Sequence, residues 1–279
     1  MIVAIALLAG CKADPTTPIA NVGGASAAPL VVPAGWVPIE PDGDRLRCAN
    51  YALDEWRVSI DAGALVFTES KNHEPDTGPA LPFTPQQQTV TRGRRHVLAV
   101  PDGFLVGFDA GEWGGSLFWF SPDGAQQVKL ADENVHGLVP MGPDLVGSIE
   151  GLSHLSLSEG NVRWIERSAA GWRAGAPTAL DAGPSTFVAA RDAIYVLTTK
   201  SLVRVGKDRK AVTIQPVRTA QMYPDSMLID AAGELWLGMR QFVVRMTPVG
   251  TRYKETWLVR EACVRATVRD LTCVCDGQR

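Results

Sequence analysis

Residues 107–124 read GFDAGEWGGSLFWFSPDG. A strand-like apolar run, Leu117-Phe118-Trp119-Phe120, is entered through glycines and left through Pro122-Asp123-Gly124. Proline presets φ, aspartate bonds its own backbone, and glycine accepts positive φ, so that exit is a turn. A matching run, Phe104-Leu105-Val106-Gly107, follows another such turn, Pro101-Asp102-Gly103. Two short strands joined by a glycine-rich link form a hairpin, and the chain repeats this unit.

The first strands after a turn are Ala64–Phe67, Phe104–Gly107, Leu145–Gly147, Ile194–Leu197 and Leu235–Gly238. The turn residues before them, Gly63, Gly103, Asp144, Asp192 and Gly233, are spaced 40, 41, 48 and 41 apart. From the second unit onward a second strand follows: Leu117–Phe120, Leu155-Ser156-Leu157, Leu202–Val205 and Val243–Met246. Turns are expected after them at Pro122-Asp123-Gly124, Glu159-Gly160, Lys207-Asp208 and Pro248-Val249-Gly250. The runs are rich in Val, Leu, Phe, Trp and Tyr, which suit pleated, half-buried surfaces. No stretch keeps a helical period. A beat of about 40–45 residues with about four strands each is the signature of a β-propeller. The expected fold is all-β, a propeller of about five blades, or six if residues 166–183 hide strands. Stacked blades bury both faces of sheets that could not fold alone.

Asp230-Ala-Ala-Gly233-Glu-Leu235-Trp236-Leu-Gly238 resembles the repeat of two-component-regulator-type propellers: aspartate, two residues, glycine, one residue, aliphatic, tryptophan, aliphatic, glycine. The second and third units keep the final glycine and lose the tryptophan. The resemblance implies the fold and names no partner.

The N-terminus, MIVAIALLAGC, has a short apolar segment ending in small residues. Leu8-Ala9-Gly10-Cys11 resembles the lipobox of bacterial lipoproteins, which implies a signal peptide over 1–10 and lipidation of Cys11. From 11 to 37 the composition turns to Pro, Gly, Ala, Ser and Thr, a stretch that buries little and is expected to be a flexible tether. The propeller is expected over 38–279. Lys12 after the cysteine implies, by the same resemblance, a lipid anchor in the outer membrane with the body on its periplasmic face.

Cys48, Cys263, Cys273 and Cys275 are even in number, as disulfides in an oxidising compartment require. Cys273 and Cys275 are too close for an easy mutual bridge, so one is expected to bond Cys263 and the other Cys48. Such a bridge would join the regions before the first blade and after the last, and so staple ring closure. Zinc is the rival reading, disfavoured because Cys-x-Cys is not the usual spacing and no histidine lies nearby.

Net charge is −3, so no basic field points to nucleic acid. There is no Gly-x-Ser-x-Gly elbow; in Gly147-Ser148-Ile149-Glu150-Gly151 the serine stands one place early. No phosphate-binding loop occurs. The histidines His73, His96, His136 and His154 show no metal-ligand spacing, and His96 and His136 precede inner-strand positions compatible with a core or a channel.

The link between the two strands of the second unit is several residues longer than its counterparts. Asp109, Glu112 and Trp113 project from it, an aromatic anchor with acidic neighbours. Either it binds a partner, or Trp113 folds back on Trp119 and covers the core. Asp109 and Glu112 could also hold Ca²⁺, though no calcium-loop spacing is present; no cofactor or metal site is otherwise expected. The polar stretch 71–95 is a partner-binding flap or a solvated loop, with Arg92, Arg94 and Arg95 a small basic cluster beside it. Trp172 is exposed or wedges between blades three and four.

These features point to a tethered periplasmic module that binds a protein partner, most concretely an immunity or inhibitor lipoprotein acting on a toxin or cell-wall hydrolase. A metal-dependent hydrolase or lyase in the channel, and a scaffold subunit of an outer-membrane assembly, are the alternatives. Whether the protein is an enzyme is left open.

Overall fold

The computed structural model describes residues 30–264 apart from 53, 71–75, 86–90 and 220–221, and apart from the side chains of 44, 47 and 48. The fold among them is all-β, built of small antiparallel sheets that follow one another along the chain.

The first sheet is a hairpin of β2 (Glu55–Asp61) and β3 (Ala64–Ser70). The second holds β4 (Arg94–Val100), β5 (Gly103–Asp109), β6 (Gly115–Phe120) and β7 (Gln127–Ala131) in chain order. The third holds β8 (Val135–Gly142), β9 (Leu145–His154), β10 (Leu157–Ser168) and β11 (Gly171–Ala179). The fourth holds β12 (Pro184–Ala189), β13 (Ala193–Thr198), β14 (Ser201–Gly206) and β15 (Ala211–Pro216). The fifth runs β16 (Ser226–Ile229), β17 (Leu235–Gly238), β18 (Val243–Val249), β19 (Arg252–Arg260), and then takes β1 (Trp36–Ile39) from the other end of the chain. Trp36 lies opposite Arg260 and Ile39 opposite Trp257. Two short helices, α1 (Gly43–Ala49) and α2 (Glu261–Val264), flank β1 and β19. Asp42 caps α1 by accepting the Arg45 N–H at 2.7 Å.

The central strands are apolar on both faces, as sheets covered on two sides require. Every residue of β13 is buried, and so is every residue of β17. Four apolar clusters lie between sheets. Leu105 and Leu117 of the second meet Val135, Val146 and Ile165 of the third. Ile149 and Trp164 of the third meet Ile194 and Val203 of the fourth. Tyr195 and Leu202 of the fourth meet Leu237, Phe242 and Trp257 of the fifth. Trp236 and Val243 of the fifth meet Trp56 and Val58 of the first. Burying each such side chain contributes about 1.5–3 kcal/mol, so these contacts between sheets are the main apolar term. The other apolar face of the second sheet, with Phe118 and Phe120, is covered by Leu81 and Phe83 from the segment before it. Phe83 stands 5.3 Å from Phe120 and 6.0 Å from Phe104 between ring centroids. Residues 76–85 are therefore part of the body, neither free flap nor wholly solvated loop.

Several expectations are corrected. Leu155-Ser156 is the tip of the β9–β10 hairpin, with Leu155 at φ 52 and 96% exposed, so the second strand starts only at Leu157. The turn expected at Glu159-Gly160 is strand: Gly160 pairs with Gly151, and a Cβ on Gly151 would lie 2.3 Å from the Glu159 carbonyl oxygen. Those glycines are there for close approach of the backbones. Residues 166–183 do hide a strand, but β11 is the edge of the third sheet and adds no further unit. Trp172 is buried, between the second and third sheets, its Nε1–H donating to Asp102 at 2.9 Å. The last part of the stretch expected as a tether is packed: Trp36 stands edge-on against Trp56 at 4.8 Å and Phe67 at 5.0 Å, and Leu30 and Val32 join the same cluster. Cys263 is buried and disulfide-bonded. The Cys48 side chain, Cys273 and Cys275 lie outside the described residues, as do Cys11, the lipobox and His73. The expected bridges, one of Cys273 and Cys275 to Cys263 and the other to Cys48, therefore fall on side chains outside the described residues. No described helix is long and apolar enough to cross a membrane.

Candidate functional site

The link after β5 is shaped by its own polar groups. Asp109 Oδ1 accepts the Gly111 N–H at 2.9 Å, and Gly111 enters a single 3-10 turn, Gly111–Trp113, at φ 59. Gly114 leaves it at φ 88, a conformation most residues disfavour. Trp113 stands at the end of this turn, 68% exposed, so it does not fold back to cover the core.

The turn is moored to the third sheet. Asn134 Nδ2 donates to the Gly111 carbonyl at 2.8 Å. A Cβ on Gly115 would lie 2.3 Å from Asn134 Cα, so only glycine allows this approach. His136 Nδ1 stands 3.7 Å from Asp109 Oδ2, while its Nε2 donates to the Gly151 carbonyl at 3.0 Å. His154 Nε2 stands 3.5 Å from Glu112 Oε2, both side chains about half exposed. Asp109 and Glu112 therefore turn to different histidines and do not converge. Among the described residues no three of His, Cys, Asp and Glu are grouped to hold a metal ion.

Inward from the turn lies a charged row that strands far apart in sequence assemble. Arg94, opposite Asp109 in the β4–β5 pairing, sits near Arg57 and Asp225. Burial, and after it the neighbouring Arg57, pulls the Arg94 guanidinium below its usual range, while Asp109 and Asp225 oppose this. Arg57 Nε donates to Asp225 Oδ2 at 3.1 Å. Burial raises the Asp225 carboxyl in spite of Arg57. At the row's far end Arg240 pairs with Glu55 at 2.8 Å, donates to the Asn50 carbonyl at 2.6 Å and stacks over Tyr223 at 3.8 Å.

Beneath Arg94 is His96, 2% exposed. Its Nδ1 meets Thr77 Oγ1 at 2.8 Å, and Nε2 has no partner. Burial, then the charges of Arg94 and His136, lower its pKa to about 3, so the ring is neutral at physiological pH. Arg95 is tied to Asp76 through its backbone N–H at 2.9 Å and its guanidinium at 2.8 Å. The basic cluster is thus two paired or half-buried arginines, with Arg92 exposed beside them.

The site therefore has an exposed aromatic on a fixed turn, acidic neighbours and a charged row with both signs. It can bind a polar or charged surface. It can also present the His136 imidazole in a set orientation, between Asp109 and the Gly151 carbonyl. Sequence reasoning named Asp109, Glu112 and Trp113, and the structure keeps these three on one link. It missed the Arg57–Asp225 pair, 168 residues apart in sequence. It also missed the hold of Asn134 on the turn; the close spacing of Gly114 and Gly115 is the trace of that contact in the sequence.

No protein-family model matches the chain, and no curated protein matches it. Among solved structures, it is similar to a protein described as a proposed 6-phosphogluconolactonase from Bacteroides fragilis, with TM-score 0.44 and 13% identity over 71% of this chain and 62% of that one. The chain thus spans less than two thirds of that protein. It is also similar to a protein from Desulfotomaculum acetoxidans (TM-score 0.32, 10% identity, 72% of this chain and 78% of that one). A triple mutant of AofleA from Arthrobotrys oligospora gives TM-score 0.35 and 12% identity over 74% of this chain and 66% of that one.

Proposed function

We propose that the sheets close into a five-bladed propeller and that the protein is a lipid-anchored periplasmic module that binds a protein partner through the Trp113 turn. Support for the ring is the chain-order succession of sheets, the apolar clusters linking neighbours, and the pairing of β1 with β19 at the fifth sheet. One observation carries the binding role: Trp113, a large aromatic, is held 68% exposed on a turn fixed by glycines and by Asn134. An exposed, pre-ordered tryptophan loses little entropy on binding and is a frequent energetic anchor of interfaces. Glu112 beside it and Glu133, whose backbone approaches Gly115, are acidic and exposed, which favours a partner with a basic face. An immunity or inhibitor role toward a periplasmic toxin or wall hydrolase fits such a surface. Cys11 is the proposed lipid attachment.

The test is photocrosslinking from position 113 in the intact envelope. One discrete adduct is expected, and Trp113→Ala should weaken that partner by about 2 kcal/mol or more. Position 128 is the control, because Val128 is also exposed. Discrete adducts from 128 with none from 113 reject the turn as the anchor. Cys11→Ala should release the protein from the membrane fraction; retention there rejects the anchor.

A further inference from the structure

Beside the Trp113 turn the third sheet carries an open cleft of about 380 Å³. We propose that this cleft takes the guanidinium of an arginine displayed by a partner protein. The inference rests on the reading of the protein as a partner-binding module and names the group it recognises.

The polar lining consists of hydrogen-bond acceptors. Glu133 comes from the β7–β8 connection, and Glu159 and Asn161 alternate onto one face of β10. Asn134 closes the side nearest the turn, 7% exposed. Its amide orientation is fixed by chemistry: Nδ2 must face the Gly111 carbonyl, because only the nitrogen can donate. That leaves Asn134 Oδ1 pointing away from the turn, buried and without a partner, and Asn161 Oδ1 is in the same condition. A buried acceptor left unmade costs about 1–3 kcal/mol, so two beside one cleft mark a place where a donor belongs.

The charge on this face has one sign to spare. Arg163, on the same face of β10, is committed to both oxygens of buried Glu150 at 3.0 and 3.1 Å and to the Gly175 carbonyl at 3.2 Å. Glu133 and Glu159 are exposed and face the opening with no cation among the residues that line the cleft. The required guest is cationic and rich in donors.

Size and shape select among cations. A calcium ion needs six to eight oxygens converging at about 2.3–2.6 Å, whereas here four side chains are spread around a volume many times that of an ion. A guanidinium offers five N–H groups in a rigid fork and can reach acceptors on separate walls. Its three-carbon stem would lie along Leu157, which is 43% exposed, and Pro177.

The test is an NMR titration of the purified full chain with Nα-acetyl-arginine N-methylamide, its lysine counterpart and its neutral citrulline counterpart. The arginine compound should shift the side-chain amide signals of Asn134 and Asn161 at low-millimolar concentration. The citrulline compound should not, and the lysine compound should bind more weakly. A Glu133→Gln/Glu159→Gln double variant, whose changes lie on exposed side chains and should leave the melting temperature in place, should bind the arginine compound about tenfold more weakly. Trp113→Ala should bind it unchanged. The proposal is overturned by any of three results: no shift with arginine, equal binding of citrulline or lysine, or unchanged binding by the double variant. Calcium chloride alone producing those shifts while arginine does not would reassign the cleft to a metal ion. Binding of the arginine compound with no adduct from position 113 keeps guanidinium recognition and removes the protein partner; adducts without arginine binding do the reverse.

Discussion

His96 makes the protein acid-sensitive in a way that can be isolated. Its pKa is about 3 in the fold against 6.5 for the unperturbed ring. The sign follows from proton counting: between those values the unfolded chain holds a proton on this ring and the folded one does not, so stability falls as pH falls. At pH 7.5 both states are neutral and the ring contributes almost nothing. At pH 4.5 the unfolded ring is charged and the folded ring is not, a difference of about two pH units on the titration. At about 1.4 kcal/mol per unit this is a loss of roughly 2–3 kcal/mol. The structural cause is first the burial of the ring, then the positive charges of Arg94 and His136, which the Asp76 carboxylate only partly offsets. Urea titrations at a series of pH values, for the wild type and for His96→Gln, measure this directly. Glutamine keeps a polar group for Thr77 and cannot titrate. Glu150 and Asp225, whose carboxyls are raised by burial, act in the opposite sense, favouring the fold at low pH and losing that contribution as pH rises through their folded pKa values. They are present in both proteins and cancel in the comparison. The wild type should lose about 2–3 kcal/mol more than the variant between pH 7.5 and 4.5. Two parallel curves would refute the placement of a neutral, buried His96.

Two glycines in equivalent strands should differ in their tolerance of a methyl group. A Cβ on Gly107 meets Val135 Cγ1 at 2.3 Å and Cβ at 2.6 Å, whereas one on Gly147 meets the terminal Ile194 Cδ1 at 2.3 Å. Valine cannot swing aside and the isoleucine tip can, so Gly107→Ala should cost about 1–3 kcal/mol and Gly147→Ala clearly less, as read by denaturant midpoints. Trp36→Ala should cost about 2–4 kcal/mol, because Trp56 and Phe67 lose their shared partner, and hydrogen exchange should rise in both β2 and β19. Glu234→Ala should cost about 3 kcal/mol by thermal melting: its carboxylate, 6% exposed, accepts from Arg245 at 2.7 Å and from Thr247 at 2.8 Å, and its loss strands the guanidinium over Trp236. Trp113→Ala, at an exposed tip, should change stability by less than about 0.5 kcal/mol.

The strands that the sequence made legible are those bounded by strong turn chemistry. Asp102-Gly103 opens β5, Asp123-Gly124 follows β6, and in Asp230–Gly233 the aspartate accepts from Ala232 and Glu234 as expected of such a turn. Leu155–Leu157 misled because Leu-Ser-Leu alternates apolar and polar as a strand does. Its turn is made by Leu155 at positive φ, a choice that no composition rule favours. Gly160 misled in the opposite direction, since a glycine needed for backbone approach has the same letter as one needed for a turn. Strand β11, Gly171-Trp-Arg-Ala-Gly-Ala-Pro-Thr-Ala179, carries few β-branched residues and a proline, which only an edge strand tolerates. Trp36 was hidden among prolines and small residues, whose average polarity masks one large aromatic. The exposed turn could be read because glycine density and link length are local. The charged row could not, because Arg57, Arg94 and Asp225 meet only after three sheets have taken their places.

The pairing of β1 with β19 has a consequence for biogenesis. The two strands are separated by nearly the whole described chain, so while residues 252–260 are still within the ribosome, β1 must wait with its backbone groups unmatched. The sheet that joins β1 to β19 can be completed only after residues 252–260 have been made. Until then β1 and the outer edge of β18 are open to pairing with other chains, the hazard typical of late-forming β structure. A circular permutant of the described body, with β19 linked to β1 and the chain opened at the exposed β9–β10 tip, would synthesise β19 and β1 in succession. It would shorten that interval of exposure without altering a contact in the finished molecule.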